Sequence, residues 1–167
     1  FKNTERQETI IKKPSFNRSK YLMAASFAFL ITVSGVLFFN RLSPNEKLYN
    51  EHFVPDPGLP TVMGENDNYT FNEAMVNYKH GDYNEAIKKW EKQLFQKPKN
   101  DTLNYFLGSA HLANGNSKKA IDYFEGVADD KKSIFYNDAN TYLGLALLKT
   151  GQIPEAKKAL EKGSTTK

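Results

Sequence analysis

The sequence predicts an all-α protein: a single transmembrane helix near the N-terminus, a linker, and then an α-solenoid of about three helix-turn-helix units. Two observations support this prediction. Residues 21–40 are an uncharged, mostly apolar run, and three later stretches repeat one pattern of glycine, alanine and large apolar residues. Between them, Pro and Gly recur over residues 41–68, which predicts a linker without one continuous helix.

The apolar run has the length of a membrane span. Twenty helical residues cover about 30 Å, the thickness of the hydrocarbon core of a bilayer. A buried core helix is the first alternative, but such a helix usually keeps a polar edge. A cleaved signal peptide is the second, but its apolar region is shorter and ends in small residues. This run ends Leu37-Phe38-Phe39-Asn40, so we favour an uncleaved anchor.

Charges beside the run predict its orientation. Four basic residues stand in the ten positions before it, and the charges after it nearly cancel; the four are Lys12, Lys13, Arg18 and Lys20. Positive flanks stay on the cytoplasmic side. We therefore expect residues 1–20 to be a disordered basic tail in the cytoplasm. Residues 41–167 then lie outside, on the periplasmic face of the inner membrane if the protein is bacterial.

The net charge of the 167-residue chain is +4. Residues 1–40 hold six Lys and Arg against two Asp and Glu, so all of this excess lies there. The remainder has no basic excess with which to neutralise phosphates, and we expect no nucleic-acid partner. The chain has no cysteine, which excludes disulfides, thiol catalysis and zinc–thiolate sites.

The linker over residues 41–68 contains scattered apolar residues such as Phe53 and Leu59 among its prolines. They leave two arrangements open. The linker is either a free spacer or a segment docked along the domain that follows.

The repeat is most visible at two sets of small residues. Gly81, Gly115 and Gly151 are separated by 34 and 36 residues, and Ala86, Ala120 and Ala156 by the same intervals. The glycines suit the left-handed residue that ends a helix. Small residues at positions 74, 108 and 144 let the two helices of each unit approach closely, and the two extra residues fall around 129–133.

This pattern resembles the tetratricopeptide repeat family over residues 69–163, in units of about 69–100, 101–136 and 137–163, followed by a tail at 164–167. The clearest part is Leu107-Gly108, Gly115, Ala120 and Phe124 in the second unit. Glu73 departs from the pattern, since Leu is usual there. No polar capping helix follows the third unit, so truncation, a capping partner or self-association through this unit all stay open.

The resemblance implies protein or peptide binding in a concave groove lined by the first helix of each unit. Carried over residue by residue, the groove positions are Phe71, Met75, Tyr78, Lys79, Tyr105, Ser109, Leu112, Ala113, Thr141, Leu145, Leu148 and Lys149. This mostly apolar lining suits an amphipathic helix or an extended apolar segment. Alternatively, some of these residues pack against the linker or a missing cap.

Nothing in the sequence indicates an enzyme. The three histidines, His52, His80 and His111, lack metal-ligand spacing, and we expect His111 to be a packing residue. No phosphate-binding loop or nucleophile motif is present, and we expect no cofactor and no metal. The sequence therefore predicts a membrane-anchored module that binds or scaffolds a protein partner. The alternative is the sensor half of a transmembrane signalling protein whose cytoplasmic domain is truncated.

Overall fold

The computed structural model describes Thr32, residues 43–61 and residues 69–164. The chain divides into two units between residues 41 and 42, and all of the described residues except Thr32 lie in the second. The predicted cytoplasmic tail and, apart from Thr32, the predicted span over 21–40 lie outside the described residues. Among the helices that are described, none has both the length and the apolar character that crossing a bilayer needs.

The described part of the second unit contains seven helices and no strand, which confirms the all-α prediction. In chain order they are α1 (Pro44–His52), α2 (Tyr69–Lys79), α3 (Tyr83–Gln96), α4 (Asp101–Ala113), α5 (Ser117–Asp129), α6 (Tyr136–Lys149) and α7 (Ile153–Gly163). Helices adjacent along the chain from α2 to α7 pack against one another, and α1 packs against α6.

Three tight turns join α2 to α3, α4 to α5, and α6 to α7. Each contains a glycine in the left-handed region, with φ of 83° at Gly81 and 82° at both Gly115 and Gly151. The N–H after each glycine bonds back five residues, as from Asp82 to the Asn77 carbonyl at 2.9 Å. This closure satisfies the last carbonyls of the first helix and turns the chain back.

Close approach within a pair depends on a missing side chain. A Cβ placed on Gly108 would lie 2.7 Å from the Phe124 ring, and one on Gly144 would lie 2.5 Å from Leu160. Phe124 is fully buried. Small residues at these two positions therefore set the separation of the paired helices, as the repeat pattern predicts.

The unequal repeat length is explained by a longer loop. Residues 97–100 join α3 to α4, whereas residues 130–135 join α5 to α6. The Ser133 hydroxyl donates to the Asp101 carboxylate at 2.7 Å, which ties the longer loop to the start of α4.

Helix α1 lies inside the predicted linker and was not expected. Its N-terminus has a reciprocal capping box between Ser43 and Glu46, with Pro44 in the first turn. These are local start signals, and they were visible in the sequence as Ser-Pro-x-Glu. Tyr49, with 2% of its surface exposed, anchors the helix in the core.

A concave surface covered by the chain itself

Residues 53–59, which we call the strap, extend from α1 across the first helices of the three pairs in reverse order. The Tyr142 hydroxyl of α6 donates to the Val54 carbonyl at 3.1 Å. Further along, Asp56 meets α4 and α2, and Gly58 passes so close to α2 that a Cβ there would lie 2.7 Å from Met75 Sδ. The linker is therefore docked along the domain rather than free.

Asp56 is the centre of this contact. Its carboxylate accepts from the Tyr105 hydroxyl at 2.7 Å, and its carbonyl accepts from the Tyr78 hydroxyl at 2.8 Å. The second carboxylate oxygen accepts from the Gly58 N–H at 2.7 Å, which closes a turn in the strap itself. One residue of the strap thus binds two helices and fixes its own backbone.

The two phenols act as hydrogen-bond donors. Burial raises the pKa of Tyr105 far above its usual value, and the hydrogen bond to Asp56 raises it further. Burial, and next the charge of Asp56, raise the pKa of Tyr78 in the same direction. Both hydroxyls consequently keep their protons at any physiological pH and present O–H groups to the strap.

The donors are held in place by stacked aromatic rings. Tyr105 stacks on Phe135 with ring centroids 4.4 Å apart, and its edge contacts Phe124 at 5.9 Å. Tyr142 stacks on Phe124, with ring centroids 6.1 Å apart. Because these rings pack in the core, the positions of the phenol oxygens are set before anything binds to them.

Helix α1 covers the part of the surface next to the strap. Lys149 Nζ lies 4.3 Å from the centre of the Tyr49 ring, in cation–π geometry. Phe53 stacks on Tyr49 at 4.9 Å and meets the Tyr142 ring edge-on at 6.4 Å. The strap therefore leaves α1 from an aromatic cluster anchored on α6.

At its other end the strap reaches an open cleft of about 440 Å³. Leu59 lines it together with Phe71 of α2, Gln93 of α3 and Leu103 of α4. The side-chain oxygen of Gln93 is buried there without a hydrogen-bond partner. Free space thus continues beyond the end of the strap.

The structure places the sequence-predicted groove residues in three groups. Contact with the strap or α1 involves Met75, Tyr78, Lys79, Tyr105 and Lys149. Ser109, Leu112, Leu145 and Leu148 are buried, with at most 7% of their surface exposed. Phe71 packs on Trp90 and Phe106, Ala113 is partly buried, and the Thr141 hydroxyl bonds its own helix at Asn137.

Sequence reasoning missed Asp56 and Tyr142, which both take part in the strap contact. Tyr142 adjoins Thr141, a predicted groove position, but it is Tyr142 that donates a hydrogen bond to the strap. Asp56 carries no local signal, because Tyr105 lies 49 residues further along the chain.

His111 is buried and stacks on Tyr123, with ring centroids 5.3 Å apart. The Glu91 carboxylate lies 3.9 Å from its Nε2, which is too far for a hydrogen bond, and neither ring nitrogen has a partner. Burial lowers the pKa of His111, so the ring is neutral at pH 7. It packs as predicted, but its polar atoms are not satisfied.

Across residues 43–61 and 69–164, no group of acidic, histidine or cysteine side chains could hold a metal ion.

Three helix pairs in register, with small residues at the pair interfaces and a surface formed by their first helices, define a helical repeat protein. The tetratricopeptide repeat family model matches residues 71–133, which run from the first turn of α2 to the loop before α6. Over these residues the chain is therefore similar to the tetratricopeptide repeat family. Repeats of this family are generally protein-interaction modules without catalytic activity. No curated protein matches the chain.

Proposed function

We propose that the protein is a single-pass, membrane-anchored tetratricopeptide repeat module. It binds or scaffolds a protein or peptide partner on the outer, periplasmic face of the inner membrane. One observation carries the binding role: the surface of α2, α4 and α6 already holds an extended peptide segment, the strap, through side-chain donors.

The membrane part of this proposal rests on the sequence. The uncharged run over residues 21–40 and the basic residues before it support a span with the N-terminus in the cytoplasm. Anchoring confines the module to a surface and raises its effective concentration toward other membrane proteins. A weak peptide site would then suffice to recruit a partner.

The test is photocrosslinking of the full chain in native membranes. A photoreactive residue at Lys79 lies at the edge of the covered surface, where Gly58 passes. The matched control replaces Lys118, an exposed lysine of α5. We expect a discrete protein adduct from position 79 only, identified by mass spectrometry. Equal adducts from both positions, or none from either, would contradict a binding role for this surface.

A further inference from the structure

We infer that the strap is a built-in substitute for the partner. The surface takes an extended peptide with an acidic side chain at the place of Asp56, and that peptide binds in exchange for the strap. This inference rests on the proposed binding function and names the chemistry of the partner.

The acidic requirement follows from the donors. Tyr105 offers an O–H to a carboxylate, and Tyr78 offers one to the carbonyl of the same residue, at 2.7 and 2.8 Å. The two hydroxyls thus bind an acidic side chain and the backbone carbonyl of the same residue. Hydrogen bonds to an ionised acceptor are shorter and stronger than those to a neutral one.

An extended backbone follows from the shape of the strap. Residues 53–59 form no helix or strand, and Pro55 and Pro57 flank the acidic residue. Proline restricts φ and lacks an N–H, so such a segment loses little conformational freedom on docking. A partner of the same type would be proline-containing and extended, and its chain could continue into the cleft beside Leu59.

The hold on the strap is moderate, which makes exchange possible. Val54 is 70% exposed, both prolines are exposed, and the hydrogen bonds to the helices come from three phenols. Partial burial, and next the charge of Asp56, raise the pKa of Asp138. The two carboxylates therefore lie near enough to repel each other. This like charge opposes the acidic group, but Asp138 is exposed and screened by water, so the short bond from Tyr105 dominates.

Exchange leaves the helix pairs intact. In the described residues, no hydrogen bond between backbone groups joins the strap to α2, α4 or α6. The Phe53 N–H donates to the Tyr49 carbonyl at 2.7 Å, at the end of α1. Tyr49 remains buried as the anchor. Release of residues 53–59 therefore uncovers the phenols without unfolding an element of the array.

The experiment measures binding of a fluorescent peptide, residues 51–61 of this chain, to the full protein in detergent by anisotropy. An Asp56→Ala variant weakens the internal competitor, so we expect it to bind the peptide at least about tenfold more tightly than wild type. Asp122→Ala, at an exposed acidic residue of α5, is the matched control and should bind like wild type.

A double-mutant cycle identifies the acidic contact. In the Asp56→Ala background, either Tyr105→Phe or alanine at the aspartate of the peptide should lower affinity about tenfold. Both changes together should lower it no further, because they remove the same bond. Additive losses, or equal binding by wild type and Asp56→Ala, would overturn the inference.

A second measurement needs no variant. In the wild-type chain, saturating peptide should increase hydrogen exchange at the Gly58 amide, which donates to Asp56 in the docked strap. Unchanged exchange at saturation would overturn the inference.

A wild-type dimer that dissociates on Asp56→Ala would also overturn the inference, and would assign the surface to the strap of a second copy. Peptide binding without any membrane crosslink from position 79 would instead contradict only the proposed function.

Discussion

Gly108 and Gly144 set the geometry of the second and third helix pairs, because the second helix of each pair lies where a side chain would project. The Phe124 ring occupies the space beside Gly108. A Cβ added at Gly108 would lie 2.7 Å from this ring, which is shorter than van der Waals distance. Gly126 is also helical, in α5, but an added Cβ there meets nothing within 4 Å. The two glycines therefore separate packing from backbone effects.

Gly108→Ala should lower the free energy of unfolding of the full chain by about 1–3 kcal/mol, because the added methyl overpacks the interface with Phe124. Gly126→Ala is the matched control and should raise stability by about 0.5–1 kcal/mol, because alanine loses less backbone entropy in a helix. Urea unfolding followed by circular dichroism checks both. Equal or greater stability in Gly108→Ala would contradict this account of the pair spacing.

At the scale of elements, α1 and the strap form one continuous cover over the first helices. They differ in how they are held. Helix α1 has its own capping box and a buried aromatic anchor, Tyr49, whereas the strap depends on hydroxyl donors from the helices beneath it. Burial of a large side chain stabilises more than a few partly exposed hydrogen bonds do. We therefore expect α1 to remain docked when the strap is released.

Tyr49→Ala should lower the free energy of unfolding by about 3–5 kcal/mol, because it removes a buried aromatic ring from between α1 and α6. Leu48→Ala, the adjacent position at 44% exposure, should change it by no more than about 0.5 kcal/mol. Thermal melting of the full chain compares the two variants. Similar effects from both would mean that α1 is not anchored through Tyr49.

At the scale of the whole molecule, the proposed function combines a membrane span predicted from sequence with a repeat array described by the structure. The two parts place different demands on the chain. The span needs apolar length and a charge difference across its ends, and the array needs repeating contacts between neighbouring helices. Their order along the chain gives the proposed topology.

Single-cysteine labelling tests that topology, since the chain contains no cysteine and the wild type supplies an empty background. A membrane-impermeant maleimide should label Lys99→Cys, in the exposed turn before α4, in intact spheroplasts. It should label Lys12→Cys only after lysis. The reverse pattern would place the array in the cytoplasm and contradict the proposed location.

Much of the fold could be predicted because the signals are local. The turn glycines at 81, 115 and 151 end helices within a few residues of themselves, and their left-handed φ follows from steric freedom. The small residues at 108 and 144 recur at the repeat length, so a comparison of the chain with itself reveals them. The start of α1 had an equally local signal at Ser43 and Glu46, hidden among the prolines that follow.

The covered surface could be predicted only in part. Met75, Tyr78 and Tyr105 were assigned to it by their positions in the repeat, which says where a side chain lies but not what covers it. Asp56 lies outside the repeat and has no periodic neighbour to identify it.

The sequence by itself determined the helix pairs, their turns and their spacing, because each depends on sterics and burial over a few residues. Only the tertiary structure decided that residues 53–59 lie on the first helices with Asp56 between two phenols. That contact joins residues 49 positions apart through a single carboxylate. The repeat positions predict Tyr78 and Tyr105 on one surface. Asp56 lies outside the repeat, so no pattern along the sequence indicates that it meets them, and only the folded array brings it there.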